Sequence, residues 1–213
     1  MATAGRRAAQ RSARIPGIRP DPEGGGRLVN APERESLTER SCRLLTRGRF
    51  MTLATAHDGI PWASTVNFVA LGAPLRLLYY SLVRARHSRN IELSAQVAGS
   101  VFMTGLPGFG LDGAQFTGEC RAVDTSGLEE IHQLYYELNF PDPATRTEWT
   151  LPLSEFRDAG PRRFYLVTVR ELWLLDIDRW LADKHDQRIA VPLDTLPSRL
   201  STAQRNEPNE PRP

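Results

Sequence analysis

The stretch FMTLATAHDGIPWASTVNFV, residues 50–69, decides the fold class of this chain. It places two runs of apolar, aromatic and β-branched residues on either side of Asp58-Gly59, a dipeptide typical of two-residue hairpin turns. The pattern predicts a strand over residues 50–55 and a returning strand over residues 62–69. Antiparallel sheet is therefore expected from this point of the chain onwards.

Further strand patterns follow at short spacing. They cover residues 75–82, 97–103, 114–123 and 164–176. Gly118 interrupts one of these strands and predicts a bulge or a close backbone approach. An amphipathic helix is predicted over residues 128–139. Because many short antiparallel strands with few helices are typical of closed barrels, the chain is expected to be mainly β.

The two ends of the chain differ in composition from the part between them. Residues 1–33 are rich in Arg, Gly and Pro, and the chain ends in NEPNEPRP. Such segments carry too little apolar surface to fold by themselves. We therefore expect a disordered arm at 1–33, one folded domain at 34–195 and a disordered tail at 196–213.

Charge, hydropathy and cysteine spacing exclude several classes of protein. Lys and Arg number 27 against 25 Asp and Glu, a formal net charge of +2, which argues against a generic nucleic-acid binder. No apolar run approaches the ~20 residues that a membrane-spanning helix needs. No apolar segment follows Arg6-Arg7 as a signal sequence would require, so we expect a cytoplasmic protein. Cys42 and Cys120 have neither disulfide nor zinc-site spacing, and we predict no metal site.

The run LRLLYYSLVRARHSRNI, residues 75–91, carries the most distinctive chemistry. A strand delivers Ser81 to a basic turn at which a helix begins. The unpaired N–H groups and the dipole at a helix N-terminus attract anions. Arg86, His87 and Ser88 are able to add hydrogen bonds to such an anion. The alternative, equally supported by these residues alone, is that Ser88 caps the helix and the arginines are solvated.

From residue 50 to residue 176 the chain resembles the FMN-binding split-barrel superfamily, the group around pyridoxamine 5′-phosphate oxidase. It resembles more closely a small, poorly characterised bacterial branch of that superfamily. An ordered set of motifs carries the resemblance, and it covers about 130 of the 213 residues. The motifs are the opening hairpin, RHSRNI, AQVAGSVFM, GAQFTGECRAV, a helix that ends in LNFP, and RFYLVTVRELWLLD.

The resemblance implies a six-stranded antiparallel split β-barrel that works as a homodimer, with FMN bound between the subunits. In the family, backbone amides of the second strand lie along the flavin ring, and the end of the third strand with the following turn holds the phosphate. With Ser88 from the helix start and Gln115 near Gly118 added, the candidate cofactor-binding residues are Ala63, Ser64, Thr65, Val66, Asn67, Tyr80, Ser81, Arg86, His87, Ser88 and Gln115.

The chain departs from the family pattern at several positions. His87 stands where a lysine is common, and Gly113 stands where the oxidases have a glutamine that contacts the flavin. Residues after Asp176 do not reproduce the segment that binds the substrate phosphate in the pyridoxamine phosphate oxidases. Vitamin B6 oxidation is therefore not the activity that we expect.

The sequence predicts an FMN-dependent oxidoreductase that acts on a small organic substrate. No catalytic side chain is assigned, because in a flavoprotein the ring performs the redox chemistry. Two alternatives stay open: an enzyme of the same fold that uses the deazaflavin F420 or haem, and a non-enzymatic flavin-binding or regulatory protein. For His57, His132 and His185 we favour turn or surface positions over haem ligation.

Overall fold

The computed structural model describes residues 35–72, 74–104, 111–198 and 200, and the predicted arm at 1–33 lies outside these ranges. The strands are Phe50–His57 (β1), Ile60–Asn67 (β2), Val69–Leu71 (β3), Arg76–Leu82 (β4), Gln96–Thr104 (β5), Leu111–Ala122 (β6), Arg162–Leu175 (β7) and Arg188–Ala190 (β8). The helices are Leu37–Arg47 (α1), Arg86–Leu93 (α2), Leu128–Asn139 (α3), Pro143–Trp149 (α4) and Ile177–Asp183 (α5).

The hairpin predicted around Asp58-Gly59 is confirmed. His57 pairs with Ile60 across the turn, and the φ angles of Asp58 and Gly59 are 49° and 74°. Positive φ at both central residues is what a type I′ turn requires, and its twist matches that of the flanking strands. The register that begins here ends with Phe50 opposite Asn67.

A single residue joins the two ends of the sheet. Neighbouring strands follow the order β2-β1-β5-β6-β7-β4-β3, all antiparallel, with β8 beside β7. Along the chain, only Phe68 separates β2 from β3, and its side chain is completely buried. The sheet therefore curls until its ends meet at Phe68, and the predicted mainly β, antiparallel split-barrel fold is confirmed.

The strand count differs in detail from the prediction. The six expected strands are the six long strands of the structure, but the second is divided at Phe68 into β2 and β3. The short strand β8 was not predicted, because its three residues, Arg188–Ala190, are too few for a periodic pattern to appear.

The bulge predicted at Gly118 is confirmed. The register between β6 and β7 shifts between Thr117 and Gly118. A Cβ atom at position 118 would lie 2.4 Å from the carbonyl oxygen of Thr168. Glycine is therefore required here by the close approach of the two backbones.

Strand β4 has an apolar cluster on each of its faces. Leu77 belongs to the cluster inside the sheet, whereas Leu78 belongs to a second cluster that includes Tyr135 of α3 and Phe164 of β7. A strand that is buried on both faces has a continuous rather than alternating apolar pattern. This packing holds α3 against the outer side of β4, next to the end of β2.

The C-terminal boundary of the folded part lies beyond the predicted one. Leu196 and Leu200 are buried and belong to the main core cluster. A Cβ atom on Gly72 would come within 2.2 Å of the backbone of Ser198, so this segment lies directly on the turn after β3. The prediction placed the boundary at 195 because the polar composition nearby hides these two apolar residues. Residues 201–213 of the predicted tail lie outside the described ranges.

Candidate functional site

A cleft of about 620 Å³ lies beside β2 and β4, a size within the usual range for small-molecule sites. It is lined by Arg49, Phe50, Thr65, Val66, Asn67, Tyr80, Ser81, His87, Tyr135, Asn139, Phe140, Thr145 and Trp149. Aromatic side chains make up much of this lining, and no Asp or Glu belongs to it. Arg49 and His87 are its basic residues. The cleft is therefore suited to a flat molecule that carries negative charge.

Three polar side chains from β2, β4 and α2 meet at one end of the cleft. The Nδ1 atom of His87 lies 3.0 Å from Oγ of Ser64, and its Nε2 atom lies 2.8 Å from Oγ of Ser81. Burial lowers the pKa of His87 below its ordinary value of 6.5, so the ring is neutral at pH 7. One ring nitrogen of a neutral imidazole donates and the other accepts, and a hydroxyl group fits either role.

Helix α2 begins beside this Ser–His–Ser group. Its N-cap is Ala85, which has no side-chain group to satisfy the first N–H groups of the helix. The Oγ atom of Ser88 instead donates to the carbonyl oxygen of Leu82 at 2.8 Å, and Ser88 is completely buried. The start of α2 therefore keeps N–H groups and a positive dipole end close to His87.

A hydrogen-bond network fixes the amide of Asn67 in the middle of the cleft. Its Oδ1 atom accepts from the hydroxyl of Tyr135 and from Nδ2 of Asn139, both at 2.7 Å. Its Nδ2 atom donates to the carbonyl oxygen of Arg49 at 2.9 Å. Since Tyr135 and Asn139 are one turn apart on α3, the helix holds the end of β2 in place.

The other end of the cleft combines a cation with two aromatic rings. The guanidinium carbon of Arg49 lies 5.7 Å from the ring centroid of Phe140. The rings of Phe140 and Trp149 are nearly parallel, with 13° between their planes and 6.2 Å between their centroids. Trp149 is 58% exposed, so α4 presents a large apolar surface here.

The sequence profile of the pyridoxamine 5′-phosphate oxidase family matches residues 37–176, a range that contains β1 to β7 and the lining of the cleft. The chain belongs to this family. The resemblance inferred from its motifs is thereby confirmed.

The chain has low sequence identity with three similar proteins, one relative and two solved structures. A UPF0306 protein of Pasteurella multocida (strain Pm70) is 29% identical over 84 residues, which are 39% of this chain and 56% of that protein. The chain therefore matches little more than half the length of that relative.

Two solved structures are similar at lower identity. A heme-binding protein from Mycobacterium smegmatis has a TM-score of 0.53 and 15% identity, over 74% of this chain and 59% of that chain. A FAD-binding protein from Mesorhizobium loti has a TM-score of 0.49 and 19% identity, over 64% of this chain and 91% of that chain. The likeness to the mycobacterial protein shows a shared fold and nothing finer.

The structure brings most of the candidate cofactor-binding residues together. Thr65, Val66, Asn67, Tyr80, Ser81 and His87 line the cleft, and Ser64 contacts His87 at its end. Ala63, Arg86, Ser88 and Gln115 are not part of the lining. The guanidinium carbon of Arg86 lies 4.5 Å from the ring centroid of Trp62, and Gln115 is exposed on β6.

Several residues that line the cleft were not predicted from the sequence. They are Arg49, Phe50, Tyr135, Asn139, Phe140, Thr145 and Trp149. A signal for two of them was present, because the family-like ending LNFP of α3 contains Asn139 and Phe140. No local signal marks Arg49, which reaches the cleft only because the chain enters β1 beside Asn67.

The predictions about metal sites, cysteines and membrane spans do not involve the residues of the cleft. Across the described ranges no group of three or more His, Cys, Asp or Glu side chains has the arrangement of a metal site. Cys42 and Cys120 are both free thiols, and burial raises the pKa of Cys120 to about 11. Of the helices that the structure describes, none has the length and apolarity to cross a membrane.

Proposed function

We propose that this chain binds FMN in the cleft and acts as an FMN-dependent oxidoreductase on a small organic substrate. The observation that carries the proposal is the group formed by Ser64, His87 and Ser81 at the start of α2. Hydroxyl and imidazole groups beside a helix N-terminus form an anion site, and FMN ends in a phosphate.

The chemistry of the lining fits this cofactor. A phosphate ester in the cleft meets hydroxyl, imidazole and amide groups but no carboxylate. The aromatic and aliphatic side chains, Tyr80 and Val66 among them, supply the apolar surface that a flat ring needs. Strand β2 pairs only with β1 in the described sheet, so its other edge has backbone groups available for the ring.

Each part of the chain then has a definite task. Ser81 and His87 hold the phosphate, the backbone from Thr65 to Asn67 lies along the ring, and α3 fixes the amide of Asn67. When bound, FMN supplies hydride or single-electron transfer. The protein orients the ring and the substrate and limits the access of water to them.

We also propose that the functional unit is a homodimer. Phe50 and Ile60 are each 57% exposed, and Trp62 is 39% exposed, all on the β1–β2 hairpin. Exposed apolar side chains next to an unpaired strand edge favour association with another chain. A second copy placed there would cover these apolar side chains and the turn end of β2, while the backbone from Thr65 to Asn67 stays available for the ring.

A haem site in this cleft has less support. His87 is the single histidine of the lining, and both of its ring nitrogens contact serine hydroxyls. Ligation of iron would require one of these hydrogen bonds to break.

The first test is the absorption spectrum of the purified full-length chain before and after reduction with dithionite. We expect the two-band spectrum of a flavin, which bleaches on reduction. A Soret band would instead identify haem. A colourless protein that binds F420, and fails to bind added FMN, would show that the cofactor is the deazaflavin.

Substitutions then locate the site. Ser81→Ala and His87→Gln should weaken FMN binding about 10- to 100-fold, since a hydrogen bond to a charged group contributes about 1.5–3 kcal/mol. Ser126→Ala in an exposed turn and His57→Gln at the exposed end of β1 are the matched controls. Arg86 is also a candidate cofactor-binding residue, but because its guanidinium lies over Trp62, we expect Arg86→Ala to cause a smaller loss of FMN affinity.

A further inference from the structure

We infer that the end of the cleft formed by Arg49, Phe140 and Trp149 binds the substrate, and that this substrate is a flat aromatic acid. The assignment of this ligand as the substrate rests on the proposed function. The binding of an aromatic acid does not, because it follows from the residues at that end alone.

The aromatic part of the inference comes from α3 and α4. Phe140 follows the last turn of α3, and Trp149 ends α4. Their rings are nearly parallel, yet Trp149 remains 58% exposed within the lining of a cleft. A tryptophan that is exposed in a concave surface gains the most when a flat apolar ring covers it.

The acidic part of the inference comes from Arg49. In the part of the chain that the structure describes, no carboxylate forms an ion pair with its guanidinium, and Arg49 lines the cleft together with the aromatic pair. The side chain is held over the Phe140 ring rather than next to an acid. A guanidinium group with its donors available binds a carboxylate in bidentate fashion.

The two ends of the cleft are far enough apart for two ligands. His87 contacts Ser64, and the backbone of Arg49 contacts Asn67, three residues further along β2. At about 3.3 Å per residue, these contacts are roughly 10 Å apart along the strand. The guanidinium of Arg49 lies over Phe140, whereas His87 lies between Ser64 and Ser81. The anion of the substrate is thus assigned to Arg49 and the phosphate to His87, with the substrate beside the flavin ring on β2.

The lining between the two ends carries no negative charge that would oppose this ligand. Two acids flank α4 outside the lining: Glu148, which is exposed, and the N-cap residue Asp142, whose Oδ2 atom accepts from N and Oγ1 of Thr145 at 2.7 and 2.8 Å. Its carboxylate is thus occupied in capping α4. The charges of the lining residues thus favour an acid over its neutral analogue.

Calorimetric titration of the FMN-loaded chain with naphthoate and with its neutral analogue naphthylmethanol tests the inference. We expect naphthoate to bind at least about tenfold more tightly than the alcohol, the ratio that one charged pair supplies. Arg49→Met should remove this preference, and Trp149→Leu should weaken the binding of both compounds. Arg121→Met and Trp180→Leu are matched controls outside the lining.

The same variants separate this inference from the proposed function. Arg49→Met and Trp149→Leu should lower naphthoate affinity more than FMN affinity, the latter measured by flavin fluorescence, whereas Ser81→Ala and His87→Gln should lower FMN affinity more. If FMN binds but naphthoate shows no Arg49-dependent preference, the inference is wrong and the proposed function stands. If naphthoate binds through Arg49 while FMN does not bind, the proposed function is wrong and the site stands.

One further outcome would overturn the inference. In this outcome, Arg49→Met and Trp149→Leu convert a dimer to monomers in sedimentation experiments and do not change naphthoate binding. This end of the cleft is then covered by a second copy of the chain. The ligand site would then have to be sought elsewhere.

Discussion

The guanidinium group of Arg40 on α1 holds the carboxylate of Asp112 on β6 in a buried ion pair. The Nε atom of Arg40 lies 3.0 and 2.9 Å from the two carboxylate oxygens, its Nη2 atom lies 2.5 Å from Oδ1, and Nη2 of Arg43 adds a third donor at 3.0 Å. Arg40 and Asp112 are 8% and 2% exposed. This pair ties the first helix to the middle of the sheet.

Removal of this carboxylate should strongly destabilise the fold. Asp112→Ala leaves Arg40 buried without its counter-charge, and we expect a loss of about 3–5 kcal/mol in the free energy of unfolding. Urea unfolding measures this loss, with Asp124→Ala at an exposed position as the control. A loss no larger than that of the control would mean that water replaces the carboxylate at no cost.

The same pair gives the stability a defined dependence on pH. Burial raises the pKa of Asp112, but the hydrogen bonds and charges of Arg40 and Arg43 outweigh it, and the net pKa lies below the ordinary 3.8. A carboxyl with a lowered pKa stabilises the fold above that ordinary value, and its contribution disappears as pH falls through the folded-state pKa. We expect Asp112→Asn to lose part of the acid-induced decrease in stability, which urea unfolding between pH about 5 and 2 would measure.

FMN affinity should depend on pH through His87. Burial keeps the pKa of the free protein's imidazole below 6.5, and a bound phosphate would favour the charged form and raise it. Binding would then take up a proton, so affinity should fall as pH rises through the pKa of the complex. Flavin fluorescence titrations between pH about 6 and 8 measure this, with riboflavin as the control that lacks a phosphate. Identical pH profiles for wild type and His87→Gln would contradict the placement of the phosphate.

Two adjacent tyrosines of α3 should separate stability from ligand binding. The hydroxyl of Tyr135 donates to Asn67 in the cleft, whereas the hydroxyl of Tyr136 accepts from the backbone N–H of Leu151 outside it. Each Phe substitution should cost about 1 kcal/mol of stability. Only Tyr135→Phe should lower FMN affinity, by a few fold, because only Tyr135 orients the amide of Asn67. Equal affinities in the two variants would remove Asn67 from the ring site.

The bulge in β6 should tolerate no side chain. Gly118→Ala places a methyl group 2.4 Å from the carbonyl oxygen of Thr168, and both backbones must move. We expect a loss of about 1–3 kcal/mol, as for other overpacked positions. At Gly113 the nearest atom to an added Cβ lies at 3.1 Å, so Gly113→Ala should cost less. Thermal unfolding of the two variants decides between these expectations.

The sequence alone was sufficient to predict the features that depend on residues adjacent in the chain. The turn at Asp58-Gly59 and the bulge at Gly118 follow from the backbone freedom of glycine, and both were predicted. The order of the family motifs was sufficient for the fold, because it reports the succession of strands. Ser81 and His87, the residues of the proposed anion site, lie six positions apart at a strand end and a helix start, which the sequence also indicates.

The remainder of the site depends on contacts between distant parts of the chain. Helix α4 has seven residues and no buried side chain, so it leaves no amphipathic pattern, and its signals are only the Asp142 cap and Pro143. Trp149 therefore could not be assigned to the cleft from the sequence. Arg49 likewise acquires its role only because α3 and the end of β2 meet beside it, which no local pattern encodes.

Strand β7 has a consequence for how this protein is made. It is the last long strand to leave the ribosome, and it alone pairs with β6 on one side and β4 on the other. Until Leu175 has emerged, the nascent chain consists of two separate sheets with open edges at β6 and β4. Such edges promote misassembly. We therefore expect nascent chains that stop before Arg162 to need chaperones, and the barrel to close only after translation of β7.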